Sequence, residues 1–129
     1  DMDGKTVDLK DSIGKKPIML IFWASWCPNC KTEVPKINEQ VGKYAVKGME
    51  FIGINVGFND SEARARSFMD KTGMSYPVVF DKTGKLSQQY RVQGVPTIII
   101  ADKKGTVAFK NFGVPELTDE KFKQLNNGH

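Results

Sequence analysis

Seven residues in a row, Ile18 to Ala24, are apolar, and the run stops just short of a Cys-Pro-Asn-Cys motif, Cys27 to Cys30. A strand-length segment with no polar face must be covered on both sides, as in a parallel or mixed sheet with helices above and below. The run follows Lys15, Lys16 and Pro17, which mark its beginning. Pro28 suits the first position of a helix, where its missing N–H would have had no intrahelical partner. The segment "IFWASWCPNCKTEVP", Ile21 to Pro35, is therefore a buried strand turning directly into a helix, with both cysteines of the chain at the turn.

The rest of the chain continues that alternation. A short strand or hairpin is expected near "KTVDLKD", and the helix after Cys27 is expected to reach Lys47. Next comes the buried strand "MEFIGINV". Asn59, Asp60 and Ser61 then cap the helix "EARARSFMDKTG", which carries Ala65, Phe68 and Met69 on one face and stops at Gly73. "YPVVFD" reads as a third strand and "GKLSQQYRV" as a short helix. "TIIIADKKGTVAFKNFG" is a hairpin turning at Asp102 to Gly105. The last helix starts at Thr118, with Leu117 and Phe122 at the spacing of a hydrophobic staple. The expected architecture is an α/β three-layer sandwich with a mixed sheet.

A length of 129 residues suits a single domain spanning 1–129. No apolar run approaches the roughly 20 residues of a membrane span. The net charge of +4 comes from scattered lysines, without the basic and aromatic clustering of a nucleic-acid surface, so no nucleic-acid partner is expected. A chain that begins at Asp1 rather than methionine is expected to be a processed or truncated product, from which a signal peptide or membrane anchor was removed.

Three readings compete for the cysteine pair. A structural zinc takes four protein ligands, and the chain offers two thiols and the single imidazole of His129, so no metal is expected. A structural disulfide closing so short a loop would constrain the unfolded chain very little. The redox reading fits the setting better. With Cys27 at the N-cap, Pro28 first, Asn29 second and Cys30 third in the helix, a thiolate on Cys27 would accept from the free N–H groups of Asn29 and Cys30. It would also lie at the positive end of the helix dipole, a contribution of up to ~2 kcal/mol. Cys30, one turn in, has fewer donors and more burial and stays a thiol until needed. Cys27 would attack a partner disulfide and Cys30 would release the mixed disulfide, with the reverse direction equally open.

Glu33 lies three residues after Cys30, about 60° around the helix, so the two side chains share a face. It is either a group that exchanges the proton of Cys30 or an ordinary exposed glutamate of the second turn. Pro35 either kinks a long helix or ends it. Pro96, in "GVPTIII", stands directly before a buried strand, and leaves a strand entrance where a partner's extended segment can pair with the backbone of Val95.

Together, the strand-plus-"WCPNC" elbow, the proline five residues after the second cysteine, and "GVPT" entering a late strand resemble the thioredoxin family. Within it, "FWASWCPNCKTEVP", "FIGINVG", the extra helix-strand segment through "YPVVFD" and "GVPTIIIADKKG" are similar to the extracytoplasmic thiol-disulfide oxidoreductases of the TlpA/ResA type, over roughly Leu9 to Leu125. The resemblance implies a thioredoxin-like sandwich with an N-terminal hairpin and a central helix-strand insertion. It implies that Cys27 is the exposed nucleophile, Cys30 the resolving thiol and Glu33 a proton-handling group. Pro96 would be cis and pack against the pair, while Trp26, Pro28, Asn29, Val95 and Thr97 would line the partner groove. Where thioredoxin buries an aspartate behind the cysteines this chain has Ile21, which directs the proton question to Glu33.

The same resemblance implies that no cofactor is needed beyond the Cys27–Cys30 disulfide, and that the protein is a monomer acting outside the cytoplasm. Its partners would be protein thiols or disulfides, apocytochrome c among them, with a membrane thiol reductase as electron donor. Two other functions are weighed against it. One is a binding module that docks clients without electron transfer. The other is a thiol peroxidase, whose chemistry wants a threonine and an arginine around the nucleophile, where Cys27 has Ser25, Trp26 and Pro28.

Overall fold

A computed structural model describes residues 13–127. The apolar run becomes strand β1, Ile18–Trp23, with all six residues buried. It lies at the centre of a five-stranded sheet of order β3-β2-β1-β4-β5. β2, Glu50–Asn55, runs parallel to it, from Ile18 opposite Glu50 to Trp23 opposite Asn55. β4, Thr97–Ala101, runs antiparallel on its other side, from Ile18 opposite Ala101 to Phe22 opposite Thr97. β3, Val78–Phe80, pairs parallel with β2, and β5, Val107–Asn111, pairs antiparallel with β4. The sheet is mixed and helices flank it, so the expected α/β architecture holds. The N-terminal hairpin expected near "KTVDLKD" falls outside the described residues.

Alternation along β1 sorts the core into two clusters. Ile18, Leu20 and Phe22 join Ile52, Ile54 and Ile99 on one side. Met19 and Ile21 join Phe51, Ile98 and Ile100, with Ile37 and Tyr44 packed on them. Each such side chain contributes about 1.5–3 kcal/mol by leaving water, which explains why a segment without a polar face ends in the middle strand.

Helix α1, Pro28–Tyr44, buries Cys30, Val34, Ile37, Gln40 and Tyr44, a stripe at helical spacing. It runs through Pro35, which resolves the two sequence alternatives in favour of one long helix. Pro35 is exposed, as is Lys31, whose carbonyl loses its donor there, so water is available to that carbonyl. The α-helix ends at Tyr44, short of Lys47. Ala45–Lys47 tighten into a 3₁₀ turn closed by Gly48 at φ 102°, so the helical pattern extends further than the α geometry.

Helix α2, Glu62–Thr72, follows its sequence signals closely. Ser61 Oγ accepts from Arg64 N at its start, and Gly73 adopts φ 69° at its end. Phe68 of α2 stacks on Trp23 at 4.9 Å, and Asn38 Nδ2 of α1 donates to Gly73 O, which holds α2 beside α1. The short helix α3, Lys85–Gln89, is set by Asp81, whose carboxylate accepts from Leu86 N, Ser87 N and Ser87 Oγ. Helix α4, Asp119–Asn127, is capped by Thr118 Oγ1 accepting from Lys121 N. Leu117 and Phe122 are both buried as a staple requires, and Tyr44 of α1 stacks on Phe122 at 5.2 Å.

Candidate active site

The elbow between β1 and α1 is held from both ends. Cys27 N donates to Ala24 O at 3.3 Å, which closes the turn leaving the strand. Cys27 has extended backbone angles at the N-cap of α1, and its Sγ accepts from Cys30 N at 3.2 Å. One of the two expected amide donors therefore reaches the sulfur, and it comes from Cys30 rather than Asn29. Both cysteines are free thiols.

Burial departs from expectation at one point. Cys27 is only 5% exposed and Cys30 3%, so Cys27 is not the openly exposed group that the family resemblance implied. The physical reason is the company it keeps: Cys27 lies in a surface depression walled by Ser25, Trp26, Pro28, Lys31, Phe68 and Lys71. What separates the two thiols is direction rather than degree of burial. Cys27 faces this depression, whereas Cys30 lines a small, narrow cavity of about 10 Å³ with Ile21, Trp23, Glu33, Tyr76 and Pro96.

The Cys30 thiol is pushed well above its ordinary range. Burial is the largest cause, followed by its hydrogen bond with Cys27 and the charges of Cys27 and Glu33, while a backbone contact at Ala24 works the other way. Cys30 is thus a thiol in the reduced protein, as its place inside the helix suggested. It cannot become a nucleophile without a group to take its proton.

Among the described residues, Glu33 is the one carboxylate on that cavity. Its side chain is 15% exposed, its Oε2 is buried without a hydrogen-bond partner among the described residues, and Lys36 Nζ stands 3.8 Å away. Ile21 lines the same cavity, so no acidic group approaches from β1. The exposed-glutamate alternative does not describe this side chain.

The Val95–Pro96 peptide bond is cis, and Pro96 reaches the Cys30 cavity. Val95 packs against the cluster that contains both cysteines and precedes the β1–β4 ladder, which begins with Thr97 opposite Phe22. Thr97 is buried, donates through Oγ1 to Gly94 O, and lines a separate groove with Arg91, Lys110 and Phe112. Trp26 is 47% exposed and anchored by Nε1 donating to Phe58 O at 3.0 Å. Pro28 and Asn29 are exposed, and Asn29 lines neither the depression nor the cavity. The structure therefore gathers Cys27 with Trp26 and Pro28, and Cys30 with Glu33 and Pro96, and leaves Asn29 and Thr97 to one side.

A residue outside the sequence-based candidates holds the elbow in place. Asp60 accepts from Ser25 N at 2.7 Å and Ser25 Oγ at 2.6 Å, from Asn55 Nδ2 at 2.9 Å and from Ser61 N at 2.9 Å. Burial raises its carboxyl, but these four donors outweigh that and leave it below the usual carboxylate range. Locally, Asp60 reads only as a capping residue before α2. Its bond to Ser25 spans 35 positions and carries no sequence signature. Gly57, in the same loop, has φ 75°, and a Cβ there would lie 2.3 Å from Asp81 O, so only glycine fits.

Among the described residues no group of three or more His, Cys, Asp or Glu side chains is placed to hold a metal ion, and no helix is long and apolar enough to cross a membrane. His129 lies outside the described residues.

The AhpC/TSA family model matches residues 1–110. The chain is 35% identical over 113 residues to the thiol-disulfide oxidoreductase ResA of Bacillus thuringiensis (strain Al Hakam), covering 88% of this chain and 64% of that protein. It is 31% identical over 126 residues to ResA of Halalkalibacterium halodurans, covering 97% and 70%. Of solved structures, a Chlorobium tepidum protein described as a thiol:disulfide interchange protein DsbE is similar with a TM-score of 0.76 at 30% identity, over 92% of this chain and 82% of that one. The chain thus spans about two-thirds of the length of these curated relatives. With its mixed sheet, its cysteine elbow and its cis-proline loop, the chain belongs to the AhpC/TSA family and has a thioredoxin-like fold.

Proposed function

We propose that the protein is a thiol-disulfide oxidoreductase that reduces disulfides of partner proteins, with Cys27 as nucleophile, Cys30 as resolving thiol and Glu33 as the proton carrier. The observation that carries this reading is the N-cap geometry, in which Cys27 Sγ accepts from Cys30 N at the start of a 17-residue helix. The amide and the helix dipole both favour negative charge on that sulfur. Pairing with a cysteine that burial holds as a thiol gives two groups of the same chemistry two different tasks.

Cys27 as thiolate attacks one sulfur of the partner's disulfide. That bond breaks, a Cys27–partner disulfide forms, and the partner's other sulfur leaves as a thiolate. Cys30 then gives its proton to the Glu33 carboxylate and attacks Cys27 Sγ. The Cys27–Cys30 disulfide forms and the partner's second sulfur departs. Two electrons have moved from the protein to its partner. The partner's extended segment pairs with the backbone at Val95 beside Pro96 and rests on Trp26 and Pro28, with Asn29 at the rim and Thr97 buried outside the contact.

The similarity to ResA supports an extracytoplasmic location, protein cysteines such as those of apocytochrome c as substrate, and a membrane thiol reductase as electron source. No redox cofactor beyond the cysteine pair is called for. A peroxidase is disfavoured because no arginine lines the depression around Cys27. The test is a Cys30→Ser variant incubated with a periplasmic extract. A stable adduct through Cys27, released by dithiothreitol, is expected, and its partner names the substrate. An unreactive Cys27, or equal capture by Cys27→Ser/Cys30→Ser through non-covalent binding alone, would point to a docking module instead.

A further inference from the structure

Four buried polar side-chain atoms lack a hydrogen-bond partner among the described residues, and three of them belong to residues lining the Cys30 cavity: Trp23 Nε1, Glu33 Oε2 and Tyr76 Oη. Trp23 is 1% and Tyr76 5% exposed, so neither is satisfied by bulk water. Unmet buried donors and acceptors are rare in folded proteins because each has lost its water without gaining a partner. Three around one cavity constitute a pattern. Gly53 of β2 allows it, since a point one Cβ away from its backbone lies 3.0 Å from Tyr76 Cε2 and 3.3 Å from Trp23 Nε1.

We infer that Tyr76 is a positioning residue for the resolving step: with Trp23 it holds one water molecule in this cavity, and that water carries the proton from Cys30 to Glu33. The inference rests on the exchange reaction proposed above and adds the path the proton takes. The cavity is about 10 Å³, close to the smallest space that admits a single water, and such a water needs two to four polar partners. The four neighbours match its valence. The indole N–H only donates, the carboxylate only accepts, and the phenol and the thiol do either. During resolution Cys30 S–H gives its proton to the water, and the water gives one of its own to Glu33 Oε2. The water is unchanged overall, Glu33 becomes a carboxylic acid, and the Cys30 thiolate attacks Cys27 Sγ as the partner sulfur leaves.

Among the described residues, the charged and titratable surroundings are few. Helix α1 supplies Cys27 and Glu33, with Lys36 behind Glu33, and the segment before β3 supplies Tyr76. β1, α2 and the Pro96 loop present only Ile21, Trp23, Phe68 and Pro96 to the cavity. Electrostatic coupling between Tyr76 and Cys30 raises the phenol beyond what burial does, in keeping with their closeness.

The test is stopped-flow reaction of the reduced protein with an aromatic disulfide that releases a coloured thiol twice. The first, bimolecular release reports attack by Cys27, and the second, unimolecular release reports resolution by Cys30. In Tyr76→Phe the first phase is expected within twofold of wild type. The second should slow roughly fivefold near neutral pH, about the worth of one neutral hydrogen bond, and recover as pH rises and hydroxide replaces the relay. Glu33→Gln should slow the second phase further, and the double variant should be no slower than Glu33→Gln. A normal second phase in Tyr76→Phe with a slow one in Glu33→Gln overturns the water relay and leaves the role of Glu33 standing. Normal second phases in both overturn both. Equal slowing of both phases in Tyr76→Phe marks a structural role and also overturns the inference. A high-resolution crystal structure of the reduced wild type supplies a test independent of any variant. Water within hydrogen-bond distance of Tyr76 Oη and Glu33 Oε2 is expected, and its absence from a well-ordered cavity contradicts the inference.

Discussion

Two acidic side chains meet the cysteine elbow, Asp60 at Ser25 and Glu33 at Cys30, and their surroundings are opposite in kind. Both oxygens of Asp60 are engaged, by two backbone amides, a hydroxyl and a side-chain amide. Oε2 of Glu33 is buried with no hydrogen bond among the described residues and only Lys36 nearby. A saturated buried carboxylate is a fixed strut, because any proton or movement would break several bonds at once. An unsaturated one has capacity left for a proton and a water. Asp81 and Asp102 resemble Asp60: the first organises the start of α3 and the second accepts from Lys104 N and Thr106 N in the β4–β5 turn. Glu33 is the exception among these acids, and it is the one that lines the cavity of the resolving thiol.

The comparison breaks first at Asp60. Asp60→Ala strands the amides of Ser25 and Ser61 and the Asn55 side chain, and is expected to lower unfolding free energy by about 3–4 kcal/mol in denaturant titrations. A loss below about 1 kcal/mol would mean that the network is not a strut. Glu33→Gln should do the reverse, leaving stability within about 1 kcal/mol while slowing the second exchange phase by about 100-fold, at the lower end of general acid–base effects. If it destabilised the protein as much as Asp60→Ala, the distinction between the two acids would fail.

pH sharpens the same contrast, with opposite signs at the two ends of the scale. Asp60 is lowered in the folded state, so its contribution is complete above the unfolded carboxylate value near ~3.9 and is lost as pH falls through the folded one. Asp60→Asn should flatten that acid limb. Cys30 is raised, so its contribution is complete below the unfolded thiol value near ~8.5 and is lost above it, by up to about 1.4 kcal/mol per pH unit, as the unfolded chain ionises first. The stability of the reduced protein relative to the oxidised should therefore fall between about pH 8.5 and 10, measurable by parallel melts of the two forms. The smallest effect is expected at Lys43, whose ion pair with Glu39 is exposed on both sides. Lys43→Ala should leave the denaturant midpoint indistinguishable from wild type, because solvent and salt screen a pair so exposed.

What the sequence reveals of this molecule is what local chemistry fixes. The unbroken apolar run predicts a central strand, Pro28 predicts the helix start, Ser61 and Gly73 bracket α2, and the Leu117–Phe122 pair predicts the staple of α4. Each signal depends on neighbours a few residues apart. The end of α1 is less legible, because Ala45–Lys47 continue the helical pattern in a tighter geometry until Gly48. Pro35 is ambiguous for a similar reason: whether a proline ends a helix depends on whether water reaches the carbonyl it frees, which is a property of the packed fold. The features that complete the site are all long-range. Ser25 meets Asp60 across 35 positions, Phe68 and Lys71 of α2 wall in Cys27, and Tyr76 arrives at the Cys30 cavity from the segment before β3. The sequence names the two thiols and their order of attack. Only the packed chain indicates that they differ by the direction they face.

That difference is open to direct measurement. Reduced protein treated with substoichiometric iodoacetamide at neutral pH, then digested and read by mass spectrometry, reports which sulfur reacts. Carboxamidomethylation confined to Cys27, at a rate above that of a free cysteine, with Cys30 protected until the pH is raised or the chain unfolded, is the predicted result. Labelling of Cys30 first, or of both at the same rate, would contradict the division of labour on which the account rests.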